Sequence, residues 1–243
     1  MPSRLPKDIN RLIGRAMHDY EMLADGDRLL IGVSGGVDSL VVAWVLDLWR
    51  RKAPINYDIE AIHLDLGFTD SAHEPVENQI KQLAIPYSID KTSYGSDSYT
   101  DKPENACFNC ARLRRNHLFN LARKQGNSAI VLGHHKDDII ETFFLNMLYG
   151  GNISTMLPKQ MLFNNSLKII RPLSYLTKEQ VLALAGLANI VPVKNPCPLS
   201  EKSKRGEVRL LLDSLYKQNP TFRNNIFASL ANVRTDYLPI HKL

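Results

Sequence analysis

Residues 28–33 form a short apolar run that breaks at Ser34-Gly35-Gly36-Val37-Asp38-Ser39 and resumes as a strongly apolar stretch over 40–50. Strand, glycine loop and helix in that order commit the chain to an α/β architecture, because a parallel strand needs a helical crossover before the next one. The alternation recurs. A strand over 58–64 ends at Asp65 and Gly67, a helix follows over 75–83, and a second short strand covers 87–90. A helix over 112–125 stops at Gly126, a strand covers 129–133, and another helix runs over 139–148. With a leading helix over 9–24, this pattern predicts a parallel sheet with helices on both faces and its ligands at the carboxyl ends of the strands. Residues 92–103 read as polar and irregular, with Gly95 and Pro103 as breakers. Beyond Gly150 the pattern thins to a strand over 167–170, a helix over 177–188 capped by Thr177, and a helix over 205–216. The division expected is a core of residues 1–175, including the cysteine segment 107–115, and a helical extension of residues 176–243 that contributes Cys197.

The loop carries the first chemistry. Two consecutive glycines let the backbone approach an anion closely, and the amides at the helix start, with the Ser34 and Ser39 hydroxyls, can donate to phosphate oxygens. Neither the GxxxxGK[ST] spacing nor its lysine is present, which argues against ordinary γ-phosphoryl transfer. Asp38 inside an anion loop would repel phosphate unless it met a divalent cation or ordered the loop. A ligand-free turn between strand and helix is the plain alternative.

A second polar cluster, Gly133-His134-His135-Lys136-Asp137-Asp138, lies where a buried strand meets a helix, on the sheet edge expected for the glycine loop. Asp137 or Asp138 could hold Mg²⁺ or cap the helix, and Lys136 could neutralise phosphate. Three cysteines cannot all pair within one chain. Cys107-Phe108-Asn109-Cys110 has the spacing that lets two sulfurs grip one metal or cluster, or act as a redox dithiol. With Cys197, three thiolates suit a cubane that leaves one iron open. Zinc would want a fourth ligand, for which His117 is available, and ordinary buried thiols are the alternative without metal.

The 30 Lys and Arg against 25 Asp and Glu give a formal charge of +5, too mild to establish nucleic-acid binding by itself. Its clustering says more. Arg112, Arg114 and Arg115 follow the first cysteine pair, and Lys202, Lys204, Arg205 and Arg209 follow the third cysteine, as solvated surface or as a rim for a polyanion. No apolar run approaches the ~20 residues of a membrane span, and the opening residues lack a secretory pattern. A cytoplasmic protein with no membrane partner is expected.

These residues together resemble the PP-loop ATP pyrophosphatase superfamily and, within it, the tRNA 2-thiocytidine synthetase branch, over roughly residues 10–220. The SGGxDS loop establishes only the superfamily. The branch rests on its combination with CxxCARLRR at 107–115, GHHKDDIIETFFLNMLYGG at 133–151, Arg171-Pro172-Leu173 and the late Cys197. The resemblance implies an adenine nucleotide alpha hydrolase-like fold and ATP held by Ser34, Gly35, Gly36, Val37, Asp38 and Ser39 with Asp65, Gly133, His134, Lys136 and Asp137. It implies Mg²⁺ at Asp38, with Asp138 as a second ligand, and a [4Fe–4S] cluster on Cys107, Cys110 and Cys197. Asp38 and the three cysteines would be the catalytic set. Arg112, Arg114, Arg115, Lys204, Arg205 and Arg209 would hold tRNA. The reaction implied is adenylation of a cytidine C2 oxygen, at position 32, followed by replacement with sulfur and release of PPi and AMP. The sulfur would come from a cysteine desulfurase or free sulfide, and a homodimer is expected.

Two departures bear on the acceptor. Position 37 is Val where the branch usually has Lys, and residues 194–197 read Lys-Asn-Pro-Cys where a second Cys-x-x-Cys is usual. A relative thiolating another base or a small molecule, a lysidine-synthetase-like ligase, and a non-catalytic nucleotide- or RNA-binding module are the alternatives. The ligase has no need of the three cysteines.

Overall fold

The computed structural model describes residues 2, 4–70, 72–101, 103–199 and 204–238, so Lys202 lies outside the described residues. By contact the chain divides into two compact units, Met1–His135 with Leu157–Glu201, and Lys136–Met156 with Lys202–Leu243. This partition is discontinuous in sequence, whereas the division expected from sequence is a single cut at 175.

The first unit is built on a six-stranded sheet in the order β3-β2-β1-β4-β6-β5. The strands are β1 (Asp27–Gly32), β2 (Tyr57–Asp65), β3 (Tyr87–Lys91), β4 (Ala129–Val131), β5 (Lys159–Leu162) and β6 (Leu167–Ile170). All neighbours pair parallel except β5 with β6. Helices α1 (Lys7–Asp19), α2 (Val37–Arg50), α3 (Glu74–Leu83), α4 (Tyr94–Asp101), α5 (Ala106–Gln125) and α7 (Lys178–Ala188) belong to the same unit.

Alternation along β1 shows how both faces are covered. Leu29 and Ile31 join the large core built with α1, α2, α3 and α7, through residues such as Ile13, Leu40, Ile80 and Leu184. Leu30 points the other way, into a smaller core with Ile62, Ile130 and Ala122 of α5. Because side chains alternate across a strand, one apolar run serves two helical layers. The expectation of a parallel sheet with helices on both faces holds.

The three central strands are tied at their amino ends by a buried ion pair. Lys168 on β6 donates to Asp27 on β1 at 2.7 Å, with Ser128 and the Ala24 amide also donating to that carboxylate at 2.7 Å. Burial pushes the Asp27 carboxyl up, but these donors outweigh it and hold it below its ordinary value. A folded pKa below the unfolded one contributes stability above the unfolded value of about 3.9, lost as pH falls through the folded pKa. Asp27→Asn strands the Lys168 ammonium, so thermal unfolding at pH 7 should show a loss of about 3 kcal/mol. The difference from wild type should narrow below about pH 4. An unchanged melting temperature at pH 7 would show that the pair is not a tie.

The second unit holds α6 (Lys136–Gly150), α8 (Lys204–Gln218) and α9 (Thr221–Ser229) around Ile140, Val208 and Leu212. No helix among the described residues is long and apolar enough to cross a membrane.

Several elements differ from the sequence reading. The leading helix ends at Asp19, and the chain then turns through Glu21 in a left-handed conformation. Residues 92–103 are not irregular, since they contain α4 and a 3-10 turn at Pro103–Asn105. Helix α5 begins at Ala106, six residues before the expected 112, so Cys107 and Cys110 sit on its first turns. Strand β5 leaves almost no signal in the sequence, having no β-branched residue. A turn with Phe163, Asn164 and Asn165 all left-handed folds it back on β6. Asparagine tolerates that conformation better than most residues.

Candidate functional site

Strand order reverses between β1 and β4, which makes the carboxyl edge there the topological switch point of the sheet. Four segments leave that edge: the glycine loop after β1, Asp65 ending β2, Gly133–His135 after β4, and Arg171–Lys178 after β6. The glycine loop is stitched by its own hydroxyls. The Ser34 amide donates to Ser39 Oγ at 3.1 Å, and Ser39 Oγ donates to the Gly36 carbonyl at 2.8 Å. Gly36 occupies the N-cap of α2 and offers no side chain, so the first-turn amides of α2 present an uncapped donor set. Gly35 has φ +87° and its carbonyl accepts from the Val193 amide at 3.0 Å. That bond ties the loop to the segment leading to Cys197.

Gly133 presses on the loop from behind. A Cβ there would lie 2.6 Å from the carbonyl carbon and oxygen of Asp38 and 2.8 Å from the Ser39 nitrogen. These are backbone atoms that cannot rotate away. Gly133→Ala should therefore displace the loop and lower nucleotide-dependent turnover on the order of 100-fold. The rate of pyrophosphate release by the purified variant checks this, and a wild-type rate would show that the loop tolerates the added methyl group.

Asp38 projects from the first turn of α2. Its carboxylate receives Lys178 Nζ at 2.6 and 2.8 Å, and His135 Nε2 lies 3.7 Å away. His134 Nδ1 accepts from Arg171 Nε at 3.1 Å, which places the neutral ring's proton on Nε2. The Val37 side chain is buried in the core beside Leu40, which leaves its backbone amide as its polar group at the loop. Asp65 is buried, with one oxygen accepting from the Gly67 amide at 3.0 Å and the other paired with His73 Nδ1 at 2.9 Å. His63 donates from Nδ1 to the Val33 carbonyl at 2.8 Å, and burial holds its pKa down, keeping it neutral.

A cavity of about 160 Å³ opens between these pieces. Its lining includes Ser34 and Gly36 from the loop, His63 and Asp65 from β2, Arg114 from α5, and residues 193–196. The glycine loop and both cysteine-bearing segments thus border one space.

Cys107 and Cys110 are one turn apart on α5, on one helix face near its amino end, where thiolates are favoured. Burial raises the Cys110 thiol; Arg114 lowers it, and Cys197 and Cys107 raise it further, so the three sulfurs are within electrostatic reach. Asn195 Oδ1 accepts from the Cys197 amide at 3.0 Å, giving the unexpected Asn-Pro a part in shaping that turn. Cys107 is exposed, and Cys110 and Cys197 are partly exposed. Among the described residues, no three His, Cys, Asp or Glu side chains are already grouped to grip one metal ion. His117 is not the available ligand the sequence suggested. Its Nε2 meets Asp90 at 2.7 Å and its Nδ1 meets the Tyr94 hydroxyl at 3.0 Å.

Other predicted residues lie in the second unit. Lys136 donates to Asn224 at 3.2 Å and lies over the Phe227 ring. Asp137 pairs with Arg223 at 3.0 Å, and Asp138 lies 4.0 Å from Arg205. Arg209 grips Glu141 through two bonds of 2.8 and 3.1 Å, and Lys204 covers Tyr149. Much of that basic cluster is therefore engaged within its own unit. Arg112 and Arg115 are exposed on α5. The sequence reading takes Arg171 only as part of the Arg171-Pro172-Leu173 motif and passes over Lys178, His63 and His73. Only His63 left a trace there, as a histidine inside an apolar strand.

Fold and site together define a nucleotide-binding protein of the PP-loop class, and the PP-loop domain family model matches residues 5–214. A tRNA-cytidine(32) 2-sulfurtransferase of Geotalea uraniireducens is 33% identical over 97% of this chain and 95% of the relative. One from Acinetobacter baumannii is 36% identical over 97% of this chain and 79% of its own length. The chain belongs to this family of PP-loop proteins, the tRNA-cytidine(32) 2-sulfurtransferases. In fold it matches the U34-tRNA thiolase NcsA of Methanococcus maripaludis, solved with its [4Fe–4S] cluster. The TM-score is 0.74 at 23% identity, over 92% of this chain and 78% of that one. An NAD⁺ synthetase from Burkholderia pseudomallei shares the fold more distantly, with a TM-score of 0.53 at 14% identity over 88% and 86% of the two chains.

Proposed function

We propose that this protein uses ATP to replace the C2 oxygen of cytidine 32 in tRNA with sulfur. The observation that carries the reading is a cavity bordered at once by the glycine loop, Asp65 and both cysteine-bearing segments. Activation at O2 and sulfur attack at C2 concern one carbonyl, so their groups must share one space.

In the first step the cytidine O2 attacks the α-phosphorus of ATP, an O–P bond forms, and pyrophosphate leaves. The α2 amides and loop hydroxyls would bind the departing pyrophosphate. Asp38 would hold Mg²⁺, whose positive charge stabilises the leaving group. Asp38 lies on the glycine loop itself, whereas Asp138 belongs to the second unit, so Asp38 is the ligand assigned. In the second step a sulfur nucleophile attacks C2 and the C2–O bond breaks with AMP as leaving group. Cys107, Cys110 and Cys197 would hold a [4Fe–4S] cluster, which when bound supplies a site for the incoming sulfur. Arg114, lining the same cavity, would offset its negative charge. Exposed Arg112 and Arg115, with Phe108 70% exposed between the cysteines, would meet the phosphates and a base of a single-stranded loop. A cysteine desulfurase or free sulfide would supply sulfur, the protein would act in the cytoplasm, and a homodimer is the expected assembly.

Anaerobic purification with iron and acid-labile sulfide quantification tests the sulfur half of this reading. About four of each per chain are expected, as a [4Fe–4S] cluster requires, and both should fall on substitution of any of the three cysteines. Zinc alone, or no metal, would return the chain to the ligase or binding-module readings.

A further inference from the structure

The pyrophosphate-gripping loop contains no cation of its own: residues 34–39 are Ser, Gly, Gly, Val, Asp and Ser. An ammonium nevertheless reaches it from 140 residues away in the chain. We propose that Lys178 is the loop's phosphate-binding cation, delivered from the start of α7 and held on Asp38 within a side-chain rotation of an anion bound at residues 34–39. The inference rests on the reading of that loop as the ATP site.

Three observations carry it. Helices α2 and α7 pack through one core containing Val37, Leu40, Val181 and Leu184, which brings their amino ends together. At the start of α7 a capping box fixes the backbone: Gln180 N donates to Thr177 Oγ1, and Thr177 N donates to Gln180 Oε1 at 2.9 Å. The main chain of Lys178 is thereby set while its four-carbon stem stays adjustable. Second, Lys178 is the first residue of α7, where the helix dipole disfavours a cation. A positive charge at the wrong end of a helix calls for a compensating partner, and Asp38 supplies one.

Third, the pair is too exposed to serve chiefly as a structural tie. The side chains of Lys178 and Asp38 are 39% and 29% accessible, the range in which ion pairs contribute little to stability. A lysine is a flexible point charge well suited to phosphate. If Asp38 turns to Mg²⁺ as ATP·Mg²⁺ arrives, the ammonium is released beside the phosphates. Lys178 would thus hold the loop's charge balanced both before and after ligand entry.

The test is calorimetric titration of the full chain with ATP·Mg²⁺, inorganic pyrophosphate and AMP, for wild type and Lys178→Ala. Wild type should bind all three. The variant should bind ATP and pyrophosphate at least about tenfold more weakly and AMP within about twofold, since a point charge on the β- and γ-phosphates discriminates by charge. Its melting temperature should stay near that of wild type. Equal affinities in the two proteins would overturn the assignment. So would a parallel loss for ATP and AMP with a lowered melting temperature, which would mark a structural role. Failure of the wild type itself to bind ATP or pyrophosphate would bring down the ATP-site reading and this inference with it.

Discussion

Replacing Cys110 by alanine should abolish sulfur transfer to tRNA while leaving ATP-dependent release of pyrophosphate near the wild-type rate. Cys110 sits one helical turn from Cys107 on α5, and its thiol is raised by burial and by both other cysteines. A lone thiol in that setting is a poor nucleophile at neutral pH. Its place beside two others makes sense when all three are deprotonated onto iron, because ligand binding and deprotonation are linked. Taking away one of three thiolates should therefore cost the cluster rather than a fraction of it. The groups assigned to adenylation, Ser34, Asp38 and Ser39, are held by hydrogen bonds and an ion pair that do not pass through Cys110. Mass spectrometry of tRNA nucleosides alongside a pyrophosphate assay reads the two steps separately. Full thiolation by the variant would remove Cys110 from the mechanism. Loss of both steps would show that the cysteine helix supports the nucleotide site.

Asp38→Asn should lower pyrophosphate release by a factor on the order of 10²–10³, the usual cost of removing one preorganised charge stabiliser. The amide keeps the size of the side chain but not the charge that holds Lys178 and would hold Mg²⁺. Two effects then act together. The metal loses its protein ligand, and Lys178 loses the partner that positions it against the dipole of α7. Loop stitching by Ser34, Gly36 and Ser39 does not involve the Asp38 carboxylate, so the fold should stand. Binding of tRNA should persist, because the exposed arginines of α5 are untouched. Wild-type release of pyrophosphate by this variant would refute the role given to Asp38.

Much of this site was legible before the structure, for physical reasons. Buried parallel strands write themselves as short apolar runs, and glycine loops between strand and helix mark the carboxyl edge of a sheet. Thr177 as a cap and Gly126 as a left-handed stop were readable because both rules are local. What stayed hidden was set by tertiary contact. Helix α4 is polar and short, and it leans on α5 through Tyr94 and His117. The first turns of α5, Cys-Phe-Asn-Cys, carry no apolar periodicity that would announce a helix. In the sequence Lys178 reads only as part of a helix, since nothing in residues 177–188 points to a loop 140 positions earlier. The basic residues after Cys197 read as an RNA rim, yet Arg205 and Arg209 are largely engaged by Asp138 and Glu141. Charge clusters in a sequence do not reveal which charges are already neutralised.

Adenylation and sulfur transfer meet at one C2 carbonyl of one tRNA base. Anaerobically reconstituted protein, unmodified tRNA, ATP, Mg²⁺ and a sulfide source should yield 2-thiocytidine at position 32, with none formed when ATP is omitted. Pyrophosphate release with unthiolated cytidine 32, or thiolation of a different base, would contradict the account.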